Sequence, residues 1–111
     1  MQGSQAMLLP MYVILNALAG APAQANDAMC QRLRDLFQQK GIHPRISLAH
    51  DGSEVSRLAQ QAVQERYQTV IGGGGDGTIN AVASALVGTE AALGVLPLGT
   101  LNHFAKDLRI R

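Results

Sequence analysis

At 111 residues and 47% hydrophobic content, the chain is long enough for one modest core and too short for two. A formal net charge of +1, with both signs interspersed, leaves no electrostatic footprint for nucleic acid and no polybasic membrane tag. The single cysteine, Cys30, excludes an internal disulfide, and no apolar run is long enough to span a bilayer.

Residues 1–10 carry no periodic pattern and read as a loose leading segment. Met7 to Ala25 imitates a signal peptide, ending in the small-residue triplet Ala23-Gln24-Ala25. No Lys or Arg precedes Arg32, however, and Pro10 and Asn16 interrupt the apolar stretch, so export is the weaker reading. Met11-Tyr12-Val13-Ile14-Leu15 instead predicts a buried parallel strand, a continuous apolar run that stops at Asn16. Asn16 to Gly20 is then a loop at that strand's carboxyl end, where asparagine commonly closes an Asx turn.

Met29, Leu33, Leu36 and Phe37 recur at helical spacing, with Asn26 or Asp27 as the expected cap and Gly41 as the stop. Cys30 falls in this helix as an ordinary free thiol. Ile46 and Leu48 alternate with Arg45 and Ser47, which predicts a second strand, nearer a sheet edge, running to Ala49. Asp51-Gly52-Ser53-Glu54 resembles a capping box, opening a helix whose apolar face is Val55, Leu58, Ala59, Ala62 and Val63.

The most informative stretch follows. Thr69-Val70-Ile71 ends in Gly72-Gly73-Gly74-Gly75-Asp76-Gly77-Thr78, and helical periodicity then begins, which reads as strand, loop, helix start. Glycines expose bare N–H groups to an anion, and a helix N-terminus adds its own donors and dipole. Asp76 is the anomaly: a carboxylate 4 Å from a phosphate charge is repelled by roughly 4 kcal/mol at an effective dielectric near 20. Holding Mg²⁺ against phosphate oxygens would account for it, and so would accepting a proton from an attacking hydroxyl. Three rival readings are weaker. Gly72, Gly74 and Gly77 spell the dinucleotide fingerprint, but the next strand ends Val95-Leu96-Pro97-Leu98 without the required acid, and Glu90 comes before it. A Walker A loop needs a lysine, and none lies between Lys40 and Lys106. A ligand-free flexible turn leaves the ordering entropy of a long glycine run without a purpose.

Ile79, Val82, Ala83, Leu86 and Val87 trace one face of the next helix, which Gly88 ends. A fourth strand, Leu93 to Leu96, delivers a loop from Pro97 to Asn102, and a short helix is expected from His103 to Leu108. Strands alternating with helices at these lengths predict an α/β fold, a parallel sheet with helices on both faces. In such sheets ligands bind beyond the carboxyl ends of the strands, where the Asn16–Gly20, Gly72–Thr78 and Pro97–Asn102 loops all fall.

Gly74-Gly75-Asp76-Gly77-Thr78, paired with Pro97-Leu98-Gly99-Thr100-Leu101-Asn102-His103-Phe104-Ala105, resembles the catalytic N-terminal domain of the diacylglycerol kinase and bacterial lipid kinase family. The resemblance runs from about Tyr12 to Leu108. The first motif is shared with NAD kinases, and the second favours the lipid-kinase branch. The resemblance implies ATP and Mg²⁺ as cofactors and transfer of the γ-phosphate to a lipid hydroxyl of diacylglycerol type. It assigns Asn16, Gly20, Gly73, Gly74, Gly75, Gly77 and Thr78 to the nucleotide, Gly99, Thr100 and Asn102 to the opposite wall, and Asp76 to the metal or to base catalysis. It implies a cytoplasmic protein, in peripheral contact with the inner membrane surface. Four positions depart from the family pattern: Ala17 for proline, His50 for a nucleotide-touching threonine, Ala81 for glutamate and His103 for aspartate. Such kinases complete the lipid site with a β-rich second domain, so residues 1–111 are expected to be inactive alone and to self-associate through uncovered apolar surface. An NAD-kinase-like domain, a dinucleotide-binding oxidoreductase module and a non-catalytic regulatory domain are the alternatives.

Overall fold

The computed structural model describes residues 11–17 and 22–97. The loose leading segment and the helix expected from His103 lie outside the described residues. Four parallel strands, β1 (Met11–Asn16), β2 (Arg45–Ala49), β3 (Thr69–Gly74) and β4 (Ala92–Pro97), form one sheet in the order β2-β1-β3-β4. Three helices connect them: α1 (Ala23–Gln39), α2 (Gly52–Gln64) and α3 (Asp76–Leu86).

Side-chain alternation sorts the core into two layers. Val13 and Leu15 of β1 point to one face, where Met29 and Leu33 of α1 cover them. Tyr12 and Ile14 point to the other, together with Val70 of β3, Val55, Ala59 and Ala62 of α2, and Val82 and Leu86 of α3. Fully burying one such aliphatic side chain stabilises the fold by about 1.5–3 kcal/mol, so β1, buried on both faces, anchors the sheet. Helices on both faces and a peripheral β2 are as the sequence predicts.

The chain steps from β1 outward to β2, then back across β1 to β3 and on to β4. Right-handed crossovers therefore put α1 on one face and α2 and α3 on the other. The direction of winding reverses between β1 and β3, and the ends of these two strands, Asn16 and Gly74, flank the crevice that such a reversal opens.

Four expectations need correction. The glycines through Gly74 are strand, not loop: Gly72 pairs with Ile14 and Val95, Gly73 with Leu15 and Leu96, and Gly74 with Pro97. Ladder pairing, on both sides for Gly72 and Gly73 and to β4 alone for Gly74, keeps them in the strand, so the connection to α3 shrinks to Gly75 alone. Second, α1 begins at Ala23 behind Pro22, which makes no side-chain cap, rather than at Asn26 or Asp27. Asn26 lies inside the helix at 6% exposure, because proline's fixed φ suits a helix entry. Third, Val87 is 79% exposed: α3 ends at Leu86, and Val87 has already left the helical path at φ −58°, ψ 130°. The buried face of α3 is Thr78, Val82 and Leu86, shifted by one position at its start from the predicted Ile79. Finally, β4 is longer than predicted, from Ala92 to Pro97, with Ala92 receiving the ladder of Thr69.

Candidate functional site at the switch between two strands

The crevice is built from the end of β1, the end of β3 and the start of α3. Gly72 and Gly74 are what allow these elements to approach. A Cβ on Gly72 would lie 3.1 Å from Val82 Cγ2, so the glycine lets α3 settle onto the sheet. At Gly74 the requirement is stricter. Its φ of 153° disfavours any side chain, and a Cβ there would sit 2.8 Å from Thr78 Oγ1 and 3.4 Å from Asn16 Cβ. The bare Gly74 backbone thus lies between the side chains of Asn16 and Thr78.

Gly75 and Gly77 behave differently. Gly75 has an ordinary φ of −83°, and a Cβ at either position would meet nothing within 4 Å. Neither backbone geometry nor internal packing calls for glycine here, whereas close approach of a ligand does. The first helical bonds of α3 are made by the N–H groups of Thr78 and Ile79, each donating to the Gly75 carbonyl at 3.1 Å. The amides of Asp76 and Gly77 precede them and keep their donors free of the helix.

The polar side chains of the crevice are also uncommitted. Thr78 is only 4% exposed, yet its hydroxyl makes no hydrogen bond among the described residues, nor does the Asn16 amide. No fully enclosed side-chain polar atom lacks a partner, so the Thr78 hydroxyl still reaches the crevice. Nearly buried and unpaired, such a group represents desolvation that the protein itself does not offset. Asp76 is exposed in the first turn of α3 and makes no ion pair among the described residues. Its position has a structural benefit, since first-turn acids gain about 0.3–1 kcal/mol from the helix dipole. Among the described residues no three His, Cys, Asp or Glu side chains converge as a metal site. A cation at Asp76 would hold one protein carboxylate and fill its shell with phosphate oxygens and water, which suits Mg²⁺ and fits the residues present.

Next to this crevice stands a closed counterpart that sequence reasoning approached only through its capping motif. His50 follows β2, and Asp51 caps α2, accepting from the Glu54 N–H at 2.8 Å and from the Ser53 hydroxyl at 3.1 Å. Glu54 in turn accepts the His50 N–H at 2.7 Å and lies 3.3 Å from His50 Nδ1. The N–H of Glu54 pulls the Asp51 carboxyl below its usual range, and the N–H of His50 does the same to Glu54. The closing bond goes to His50 rather than to the cap residue, so the box is offset by one residue from the expected form.

Ala17 also finds its reason here. Its N–H donates to the Ala49 carbonyl at 2.8 Å, prolonging the β1–β2 ladder past Asn16. A proline at this position, as the family resemblance leads one to expect, has no N–H to give. Cys30 is half-buried on α1, and burial pushes its thiol pKa up, as expected of an unreactive cysteine.

Of the predicted site residues, the structure brings together Asn16, Gly73, Gly74, Gly75, Asp76, Gly77 and Thr78 around one strand end. Gly20, Gly99, Thr100 and Asn102 lie outside the described residues. A cavity of about 910 Å³ opens at the other end of the sheet, between Arg66, Tyr67, Thr69, Thr89 and Ala92. It lies at the amino ends of β3 and β4, away from the winding reversal, and offers no convergence of unpaired buried polar groups.

Fold and crevice define a doubly wound α/β domain with a crevice at its switch point. The chain belongs to the diacylglycerol kinase catalytic domain family, whose pattern matches residues 10–111. It is 42% identical over 88 residues to the probable lipid kinase YegS-like of Klebsiella pneumoniae, covering 78% of this chain and 30% of that protein. It is 38% identical over 102 residues to the probable lipid kinase YegS of Escherichia fergusonii, covering 88% and 32%. With the YegS-like protein of Serratia proteamaculans the identity is 39% over 105 residues, covering 91% and 33%. The chain therefore spans about a third of the length of the curated relatives it matches.

Proposed function

We propose that this chain is the nucleotide-binding part of a lipid kinase, holding the phosphates of ATP at the turn from β3 into α3 for transfer of the γ-phosphate to a lipid hydroxyl of diacylglycerol type. The observation that carries this reading is the pairing of Gly75 and Gly77, which no packing among the described residues requires, with the Thr78 hydroxyl and Asn16 amide, which have no partner among the described residues, around Gly74. Free N–H groups of Asp76 and Gly77 would donate to phosphate oxygens, which the dipole of α3 also favours. Thr78 would donate its hydroxyl to the same anion. Asn16 and Gly20 would bound the nucleotide on the β1 side, and Gly99, Thr100 and Asn102 on the β4 side. Mg²⁺, when bound, would neutralise charge developing between the transferred and leaving phosphates. Asp76 would hold that ion or take the proton of the lipid hydroxyl.

Phosphoryl transfer is mostly positioning and charge stabilisation, which demands an acceptor pocket and exclusion of water. Residues 1–111 supply one wall of such a site, so the lipid pocket belongs to a further domain and these residues alone should not turn over. The relatives that the chain matches carry the name probable lipid kinase, which favours a lipid acceptor over NAD. Calorimetric titration with ATP, with and without Mg²⁺, is the first test, and metal-dependent binding is the expected result. Binding that survives Gly75→Val unchanged would remove the phosphates from this turn. Asp76→Asn should abolish the metal-dependent part of binding if Asp76 is a ligand, or spare binding and lower turnover of a full-length kinase if it is a base. Phosphorylation of NAD in preference to diacylglycerol by the full-length enzyme would overturn the lipid reading.

A further inference from the structure

We infer that the cavity at the amino ends of β3 and β4 is a second ligand site, for a small zwitterion whose oxyanion is held by Arg66 and whose ammonium is held by Glu90. The first observation is backbone strain. Among the described residues only Arg66, glycines apart, lies in the left-handed region, at φ 66°. The ends of α1 and α2 are closed by the same two bonds. Gly41 N–H donates to the Gln38 carbonyl and Ile42 N–H to that of Phe37; Arg66 N–H donates to the Val63 carbonyl and Tyr67 N–H to that of Ala62. Gly41 takes φ 76° in this motif with no Cβ to strain it. Arg66 occupies the equivalent position against the steric preference of an L side chain. Compensating the dipole of α2 does not demand this position, because a basic residue in the last turn would do so unstrained, and α2 has none there.

The strained turn is fixed from both sides. Glu65 accepts from Arg45 at 3.0 Å, Tyr67 packs edge-on against buried Tyr12 with centroids 5.0 Å apart, and the Gln68 carbonyl accepts from Ala92 at 2.8 Å. Each of these holds a neighbour of Arg66. None involves its guanidinium, which makes no hydrogen bond or ion pair among the described residues. Backbone strain that the surroundings over-determine clusters at functional positions.

The cavity shows what the guanidinium is kept for. Arg66 and Glu90 both line its volume of about 910 Å³, which is ample for a small molecule. The two opposite charges do not pair across it. Gln68, Thr69 and Thr89 add polar groups, and Val63 adds an apolar one. The carbonyl ends of α2 and α3 also lie here without a basic residue in either last turn, so they contribute negative potential. A simple anion would be opposed by Glu90 and by these helix ends, and a simple cation by Arg66. A molecule with both charges meets both partners, its oxyanion on the guanidinium fork and its ammonium on the carboxylate. The cavity is at the opposite end of the sheet from the glycine turn, so this inference does not rest on the nucleotide reading.

Amide-shift titration of the 111-residue chain with O-phosphoethanolamine and with β-alanine tests the site. At least one of them should shift residues 66–69 and 88–91 saturably and bind about tenfold more tightly than inorganic phosphate, acetate or ethanolamine. Arg66→Asn removes the charge while tolerating the left-handed turn, and should weaken binding about tenfold. Glu90→Gln should erase the advantage of the zwitterion over its anionic half. Arg66→Gly should lose binding and raise the urea midpoint. Sedimentation with phosphatidylcholine vesicles, with and without phosphatidylethanolamine, separates two sources of the same chemistry. Capture that needs phosphatidylethanolamine and Arg66 assigns a lipid headgroup, whereas binding of a soluble probe without capture assigns a free molecule. Absence of binding to every probe and vesicle, equal affinity for the separate halves, or binding that survives Arg66→Asn overturns the proposal. A zwitterion advantage retained in Glu90→Gln overturns the part given to Glu90. A lower urea midpoint in Arg66→Gly overturns the strain argument, since Arg66 would then serve the fold.

Discussion

Two helices begin at the same end of the sheet and begin differently. The N-terminus of α2 is closed by the protein: Asp51 caps it, Ser53 braces Asp51, and Glu54 reaches back to His50. The N-terminus of α3 has a glycine as its cap residue, no side-chain cap, and first-turn donors free of the helix, next to a threonine and an asparagine whose side chains make no hydrogen bond among the described residues. A capping side chain is a common and inexpensive feature, typically worth about 1 kcal/mol, so leaving it out beside a switch-point crevice needs an explanation outside the fold. The closed terminus follows the edge strand β2; the open one follows β3, which lies against the winding reversal. On the proposed reading, position in the winding, more than helix quality, tells the two termini apart.

The strongest way to break this contrast is to fill the space that keeps α3 close to the sheet. Gly74→Val combines a φ of 153° with a Cβ placed 2.8 Å from Thr78 Oγ1. A cost of at least about 3 kcal/mol is expected, the sum of backbone strain and overpacking, with nucleotide binding lost in the remaining folded fraction. Urea denaturation measures it, and a midpoint near that of the unsubstituted protein would show that α3 is not held by this approach.

Gly77→Ala sharpens the comparison because stability and binding should move in opposite directions. In the first turn of α3, with nothing within 4 Å, alanine should stabilise the helix by about 0.5–1 kcal/mol. The added methyl should nevertheless weaken ATP binding by tenfold or more, about 1.4 kcal/mol, by standing where a phosphate must come. Gly75→Ser offers the companion result, since a serine cap closes the terminus and should compete with the anion for the same donors. Tighter ATP binding in either variant would contradict the role given to the turn.

Ala17→Pro tests whether this chain has truly exchanged one way of holding the β1 loop for another. Proline would remove the N–H that donates to Ala49, and a loss of about 1 kcal/mol is expected. If the variant is instead stabilised, the ladder bond is unimportant and the ring stiffens the loop as in the family pattern.

Strand and helix periodicity made the fold legible, because β1 is apolar throughout and α2 presents Val55, Ala59 and Ala62 on one stripe. The glycine run was harder to divide. Composition marks glycines as loop, and only pairing to neighbouring strands, invisible in a single sequence, keeps Gly72 to Gly74 in the strand. Pro22 in place of a polar cap on α1 was missed for a related reason: the sequence offered Asn26 as a better cap, but tertiary packing took Asn26 into the interior. The candidate site itself was legible as a motif. Its division into glycines needed for packing, Gly72 and Gly74, and glycines left open, Gly75 and Gly77, required coordinates.

The smallest effect concerns the closed terminus and is visible as pH dependence. Asp51 accepts the Glu54 N–H and the Ser53 hydroxyl, and Glu54 accepts the His50 N–H, which holds both carboxyls below their ordinary range in the folded protein. A depressed folded pKa means that the unfolded chain takes up the proton first. The associated stabilisation is therefore complete above the unfolded carboxylate range, near pH 4, and disappears as pH falls through the lower folded values. Asp51→Asn keeps an oxygen able to cap α2 but removes one of the two titrations. The stability difference between this variant and the unsubstituted protein should be constant from pH 7 to about pH 5 and should then shift against the unsubstituted protein as the solution is acidified. Urea midpoints across that range provide the measurement. Because the closed terminus is exposed, salt should reduce the effect, and because it belongs to α2, ATP binding at pH 7 should be the same in both proteins. A difference independent of pH would mean that Asp51 acts only as a neutral hydrogen-bond acceptor, whereas altered ATP binding at pH 7 would mean that the ligand reaches across from the open terminus to the closed one.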